Sequence, residues 1–297
     1  MYRVCFVILH YLSSETTVEC IESVFNAIPQ SPQIPYHIVV VDNGSPNDSY
    51  TKLQERYRLH PAVTLLQASE NMGFARGNNM GYRYALEEEQ ADFVVIANND
   101  TLFFQPDFLE SMVRLYERTS CALMGPDIYN VGGYHQNPYR EQPISHEALR
   151  RWIRNRRLWL WFLRLDRYLR LTSVFPFFRK FYMGRAAAGR PDSTWEQARE
   201  GVVLQGACIL FTPGFCETFR EYAFYPETFL YCEEDILALL CSRRGMKILY
   251  EPSLKVTHKE SVSTGLTAAS AWERDYAFTK NMLKSLKILK RLWEKGF

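Results

Sequence analysis

Four strand-length runs of apolar, largely β-branched residues, Val4 to Leu9, His37 to Val41, Val63 to Leu66 and Phe93 to Ala97, alternate with stretches of helical spacing. Between the first two, Val18, Ile21, Val24 and Phe25 fall on one face of a helix expected over Glu15 to Ala27. A polar helix from about Asp48 to Leu59 and a third from Phe74 to Glu88 follow the next two runs. The runs are continuous rather than alternating, which is the pattern of strands covered on both faces, as in a parallel sheet. Residues 1–130 are therefore expected to be a nucleotide-binding half of doubly wound α/β type.

After Gly125-Pro126 the pattern weakens. Asn130 to Pro143 reads as loop and Ser145 to Arg185 as a basic, aromatic insertion, so residues 131–200 are expected as a loop and helical insertion. Val202 to Phe211 reads as a strand, Phe229 to Arg244 as a loop entering a helix, and Lys247 to Tyr250 as a short strand. Together, residues 201–262 would complete a mixed second half of the same sheet, leaving 263–297 as C-terminal amphipathic helix. A chain of 297 residues with 47% hydrophobic content can bury a core of that size. Its seven cysteines are odd in number and contain no CxxC pair, which fits a reducing cytoplasm and neither a disulfide framework nor a zinc site. Met1 to Glu15 reads as a first strand rather than a leader, and no run reaches the roughly eighteen apolar residues needed to cross a bilayer.

The net charge of +2 points to no nucleic-acid partner, but it is unevenly spread. Residues 151–185 hold ten Arg or Lys, ten aromatic residues and one acid, Asp166, so this stretch carries +9 and the rest of the chain −7. Trp and Tyr favour the headgroup level of a bilayer and Arg meets anionic lipid there, so an anionic membrane surface is the expected partner. Lys280 to Phe297 repeats the theme, with Leu283, Leu286, Leu289 and Trp293 able to share a face. Such helices can equally pack on a core with their cations solvated.

In an open α/β sheet, ligands gather at the carboxyl ends of the strands, so polar residues there carry the most weight. Asp42 is placed to accept hydrogen bonds from a base or ribose, or to form the turn before Asn43-Gly44. Asn71 to Asn78 opens a helix after strand three. Its two glycines either admit a diphosphate to the backbone amides at the helix's positive end or only cap it. Asn98-Asn99-Asp100 ends a buried strand, where a carboxylate is costly unless it binds something. Mg²⁺ or Mn²⁺ takes oxygen ligands and keeps substrate phosphates in its shell, so one protein carboxylate can suffice. Glu233-Glu234-Asp235 sits where a helix dipole stabilises acids, and where a carboxylate could also deprotonate a sugar hydroxyl. His258 is a possible metal ligand or a structural histidine.

In this order the strings Val7-Ile8-Leu9-His10-Tyr11, Val41-Asp42-Asn43-Gly44-Ser45, Asn71-Met72-Gly73-Phe74-Ala75, Asn98-Asn99-Asp100, Gln205-Gly206-Ala207-Cys208, Phe229-Leu230-Tyr231-Cys232-Glu233-Glu234-Asp235 and His258 span nearly the whole chain. They resemble the family 2 glycosyltransferases of the GT-A fold, in particular the rhamnosyltransferase-like branch that builds cell-surface polysaccharide. The resemblance implies that Asp42 binds the nucleobase, that Asn71, Gly73, Asn78 and Asn99 line the donor pocket, and that Gly206 and Ala207 lie under a sugar. It further implies that Asp100 and His258 hold Mg²⁺ or Mn²⁺, with Asn98 standing where the family has the first acid of its DxD motif. The base would be Glu234, counted back from Gly245, with Asp235 the near alternative and Glu233 beside them. No QxxRW string follows Glu234, so one sugar per encounter is expected.

The implied function is inverting transfer of one sugar, dTDP-rhamnose favoured and a UDP-sugar possible, to a lipid-linked glycan acceptor, by an enzyme peripheral on the inner face of the cell membrane. An oxidoreductase would need GxGxxG after strand one, where His10-Tyr11-Leu12-Ser13-Ser14 stands. A non-catalytic, transferase-like membrane scaffold is the alternative from another class.

Overall fold

The computed structural model describes residues 1–169, 195–260 and 270–295. In chain order its first half runs β1 (Val4–His10), α1 (Ser14–Ala27), β2 (Tyr36–Asp42), α2 (Ser49–Tyr57), β3 (Val63–Gln67), α3 (Phe74–Glu87), β4 (Phe93–Asn98), β5 (Thr101–Phe103) and α4 (Phe108–Thr119). The second half runs β6 (Leu123–Asn130), α5 (His146–Leu169), β7 (Arg199–Glu200), β8 (Cys208–Phe211), α6 (Pro213–Thr218), α7 (Glu233–Arg243), β9 (Ile248–His258) and α8 (Ala271–Lys295).

These strands form one nine-stranded sheet in the order β3-β2-β1-β4-β8-β6-β9-β5, with β7 pairing β9. β1 to β4 are mutually parallel, while β8 runs antiparallel between β4 and β6. The result is the expected α/β architecture, a mostly parallel central sheet flanked by helices. Both faces are buried, which explains the continuous apolar strands: along β1, Cys5 and Val7 enter one core and Val4, Phe6 and Ile8 the other.

Two strands differ from the expectation. β6 lies across Gly125-Pro126, where the sequence reads as a breaker. Proline is tolerated there because the register with β9 shifts between Pro126 and Asp127, so a ladder position is skipped. β9 has eleven residues rather than the four expected, and it ends at His258 rather than before it. The run expected from Val202 to Phe211 is a strand only from Cys208; Val203 makes an isolated bridge to Arg140.

α5 buries Leu149, Ile153 and Leu160, and α8 buries Leu283, Leu286, Leu289 and Leu292, all in one core cluster. Fully buried aliphatic side chains of this kind each contribute about 1.5–3 kcal/mol. The apolar stripe of the C-terminal helix is thus turned to protein rather than lipid. Trp293, expected with it, is 36% exposed. Residues 170–185 of the basic stretch, and 296–297 of the tail, lie outside the described residues. Among the described residues no helix is long and apolar enough to cross a membrane.

Candidate active site

The carboxyl ends of β1, β2 and β4 lie side by side: His10 is in register with Asp42, and Leu9 with Asn98. A buried hydrogen-bonded path joins them. His10 Nδ1 is 2.7 Å from Thr17 Oγ1 and its Nε2 2.9 Å from Ser49 Oγ, while Asn99 donates to the same threonine at 3.1 Å. Burial lowers the His10 pKa to about 4, against the pull of Asp42, whose nearest oxygen is 3.9 Å away. His10 is therefore a neutral connector between the turn after β2 and the turn after β4.

Asp42 has no exposed surface. Its carboxylate accepts from the Ser45 amide at 3.2 Å and from Gln67 at 3.4 Å, so the oxygens expected to meet a base shape the turn that carries Asn43 to Ser45. Asn43, not singled out from sequence, does the next piece of work. It accepts from the Met72 amide at 3.0 Å and donates to Asn71 Oδ1 at 3.2 Å and the Gly73 carbonyl at 3.3 Å.

The amides at the start of α3 are engaged within the protein. The Met72 amide goes to Asn43, the Gly73 amide to Asn71 Oδ1 at 2.9 Å, and the Phe74 amide to the Phe229 carbonyl at 2.7 Å. The diphosphate cradle expected at these amides is therefore not open in this structure. Gly73 instead admits the loop that precedes α7: its φ is +83°, and a Cβ there would stand 2.3 Å from the Phe229 carbonyl oxygen. Gly73→Ala is expected to cost at least about 2 kcal/mol in urea unfolding, since left-handed strain and a backbone clash add. Asn78, expected to line the donor pocket, is fully buried and donates to its own helix at the Phe74 carbonyl. Its neighbour Asn79 makes the long-range contacts, holding the backbone of Ala223 and Phe224. On a helix the two residues differ only in which side they face, and an apolar-period count does not separate them.

Asp100 and His258 do meet. His258 Nε2 is 3.1 Å from Asp100 Oδ1, and its Nδ1 is 2.8 Å from Gln136 Oε1, which fixes the ring. β5 and β9 bring them together by pairing Thr101 with His258. Next to this pair runs the turn Gln205 to Ala207. The Ala207 carbonyl accepts from the Asn98 amide at 2.9 Å and from Thr101 Oγ1 at 2.9 Å. Gly206, on the same turn, touches Glu234: a Cβ there would lie 2.6 Å from the Glu234 carboxylate.

The three acids that open α7 have distinct surroundings. Asp235 is buried and paired with the Arg140 guanidinium. Glu233 is buried, with one oxygen lacking a hydrogen-bond partner among the described residues, and burial together with the Glu234 charge raises its pKa from 4.5 to about 8. Glu234 alone of the three keeps some exposed surface, and its pKa is raised by burial first and by Asp235 in addition. Two consecutive non-glycine residues in left-handed conformation, Tyr231 at φ 76° and Cys232 at φ 66°, turn the chain into α7 and aim these side chains. α8 braces that turn: Ser285 donates to the Leu230 carbonyl at 2.9 Å, and Tyr231 packs on Phe278. Arg140 also lies over the rings of Tyr139 and Trp152, at 4.6 and 5.5 Å. Arg140→Gln would leave Asp235 buried without its cation, an expected loss of about 2–3 kcal/mol for this partly solvated pair. Urea unfolding measures it, and a loss below about 0.5 kcal/mol would mean that the pair is idle.

Residues 5–187 match the sequence family described as Glycosyl transferase family 2. The chain belongs to glycosyl transferase family 2. This family 2 chain is also 30% identical over 115 residues to the low-salt glycan biosynthesis hexosyltransferase Agl10 of Haloferax volcanii, a stretch covering 39% of the chain and 34% of that protein. It thus spans about a third of the length of the curated relative. In fold it is similar to S. aureus TarS 1–349 in complex with UDP-GlcNAc, with TM-score 0.57 at 12% identity, covering 97% of this chain and 66% of that one. TarS 1–349 in complex with UDP gives a TM-score of 0.54 at the same identity, covering 88% and 61%.

Among the described residues no group of three or more His, Cys, Asp or Glu is placed to hold a metal ion. The Asp100 and His258 pair offers one carboxylate and one imidazole nitrogen, a donor set that fits Mn²⁺, or Mg²⁺ through the carboxylate, when substrate phosphates complete the shell.

Proposed function

We propose that the chain transfers one sugar, with inversion, from a nucleoside diphosphate donor to an acceptor hydroxyl on a membrane-held glycan. The observation that carries this reading is the turn Gln205 to Ala207, which is hydrogen-bonded to the Asp100 turn on one side and touches the Glu234 carboxylate on the other. The Asp100 turn and a partly exposed carboxylate thereby flank one small-residue turn, and Gly206 lets the Glu234 carboxylate lie against its backbone.

Glu234 takes the acceptor hydroxyl proton as that oxygen attacks the anomeric carbon, and the bond from that carbon to the diphosphate oxygen breaks on the opposite face. Asp235, locked to Arg140, holds the helix start and is not the base; Glu233 is buried behind it. Asp100 and His258 would hold the divalent cation, which when bound supplies charge neutralisation for the departing diphosphate. The Asp42, Asn43 and Asn71 network sets the loop against which the base and ribose lie.

Two donors are to be separated. The sequence resemblance supports dTDP-rhamnose, whereas the UDP-GlcNAc held by TarS supports a UDP-hexose. A thermal-shift panel of UDP, dTDP and GDP and their sugars, with and without Mn²⁺, is expected to give stabilisation by one base only, larger with the cation. A chain that binds none of them, and transfers nothing with cation and acceptor present, would be the non-catalytic scaffold instead.

A further inference from the structure

Away from this site, α5 and α8 meet along a groove of about 500 Å³, none of whose walls is a residue named above as a candidate site residue. Six wall residues are cations: Arg150, Arg154 and Arg157 from α5, with Lys287, Lys290 and Arg291 from α8. Glu294 is the groove's one carboxylate, 3.1 Å from Lys290, and Arg291 is held by Glu227 at 2.5 Å. Arg150, Arg154, Arg157 and Lys287 have no carboxylate within ion-pair distance among the described residues.

Arg150 and Arg154 stand four apart on one helix and Arg154 and Arg157 three apart, so each pair repels its neighbour until an anion lies between them. The same wall presents apolar surface to solvent. Leu158 lines the groove and is 54% exposed, and Trp161, three residues further on, is 63% exposed. Cations around a cavity, beside an exposed Leu and Trp, make the arrangement that sits at headgroup level, with phosphate met by arginine and rings in the interface.

We propose that this groove seats the phosphate of an anionic lipid headgroup, with Leu158 and Trp161 entering the interface beside it. The inference rests on the reading that the acceptor is membrane-held, and it assigns the place where the chain grips that membrane. The buried leucines of both helices are turned to the core, so among the described residues the grip is made by the groove's cations together with the exposed Leu158 and Trp161.

The test is co-sedimentation of the full chain with phosphatidylcholine vesicles, with and without phosphatidylglycerol. The chain is expected to bind only the anionic vesicles. The variant Arg150→Gln/Arg154→Gln/Lys287→Gln is expected to bind them more weakly by at least about tenfold. Lys52→Gln/Arg58→Gln/Arg114→Gln, which removes the same charge from α2, the residue that caps it and α4, elements packed into the other of the two cores, is expected to bind as the unaltered chain does. Trp161→Ser is expected to weaken binding with no change of charge. The nucleotide-induced thermal shift is expected to be the same in all of them. Equal loss in both triple variants would overturn the groove in favour of diffuse charge. Stabilisation by inorganic phosphate without vesicle binding would overturn it in favour of a soluble ligand. Transfer to a soluble acceptor with no vesicle binding would sink this inference alone, and vesicle binding without any transfer would sink the catalytic reading alone.

Discussion

Glu234→Gln is expected to lower sugar transfer about 10³-fold while leaving nucleotide binding unchanged, the size of effect that loss of a positioned general base produces. The amide is nearly isosteric, so it can keep the place beside Gly206, but it cannot take a proton. The companion acids cannot substitute: Asp235 is tied to Arg140, and Glu233 is buried. A pH signature follows. Burial, helped by the charge of Asp235, raises the Glu234 pKa above its ordinary 4.5, while Arg140 and the Gly206 amide pull it back. The base works as the carboxylate, so activity is lost as pH falls through that raised value. The acid limb of kcat/KM should therefore lie above the usual glutamate range and vanish in the Gln variant. A variant with the original rate, or an acid limb identical in both proteins, would remove Glu234 from the role.

Much of this site was legible because its residues cluster at strand ends, and a strand end is marked by where an apolar run stops. Asp42 and Asp100 stand out in that way, whereas the acids opening α7 stand out as three adjacent carboxylates at a helix start. The pairing of Asp100 with His258 was implied only by the family resemblance, because strand-end reading does not show that β5 and β9 form an antiparallel ladder pairing Thr101 with His258 across 156 intervening residues. For the three adjacent acids, local pattern alone does not tell them apart; the resemblance favoured Glu234 with Asp235 as the near alternative, and in the structure it is Asp235 that pairs with Arg140, which is bridged through its backbone to Val203. For the glycines opening α3 the sequence left two uses, admitting a diphosphate or capping the helix; in the structure Gly73 admits another loop of the same protein, and these uses leave the same residue in the sequence. In β6 a Gly-Pro pair masked a strand because a bulge absorbs the proline. The amphipathic C-terminal helix was legible as such, but its apolar face could not be assigned to lipid or core without its partner α5.

Asp100→Asn is expected to abolish the cation-dependent part of donor stabilisation and to reduce transfer about 10²–10³-fold, because one protein carboxylate carries most of the cation's charge complementarity here. Asn98 stands where a second acid would add to it, so on the proposed reading the donor's own phosphates would complete the site. Three arms make this decisive. In Asp100→Asn, UDP or dTDP should give the same thermal shift with and without Mn²⁺, while the unaltered chain gives a larger shift with it. His258→Ala, which removes the imidazole 3.1 Å from Asp100, should weaken Mn²⁺ affinity about 10–100-fold, so that correspondingly more Mn²⁺ is needed. Asn98→Asp runs the other way: a second carboxylate beside the first should raise Mn²⁺ affinity in the absence of nucleotide, because two acids attract a dication that one does not hold alone. A chain whose transfer is as fast with Asn at 100 as with Asp, with the same response to Mn²⁺, would move the cation away from the ends of β4 and β9 and leave Asp100 as a structural partner of His258.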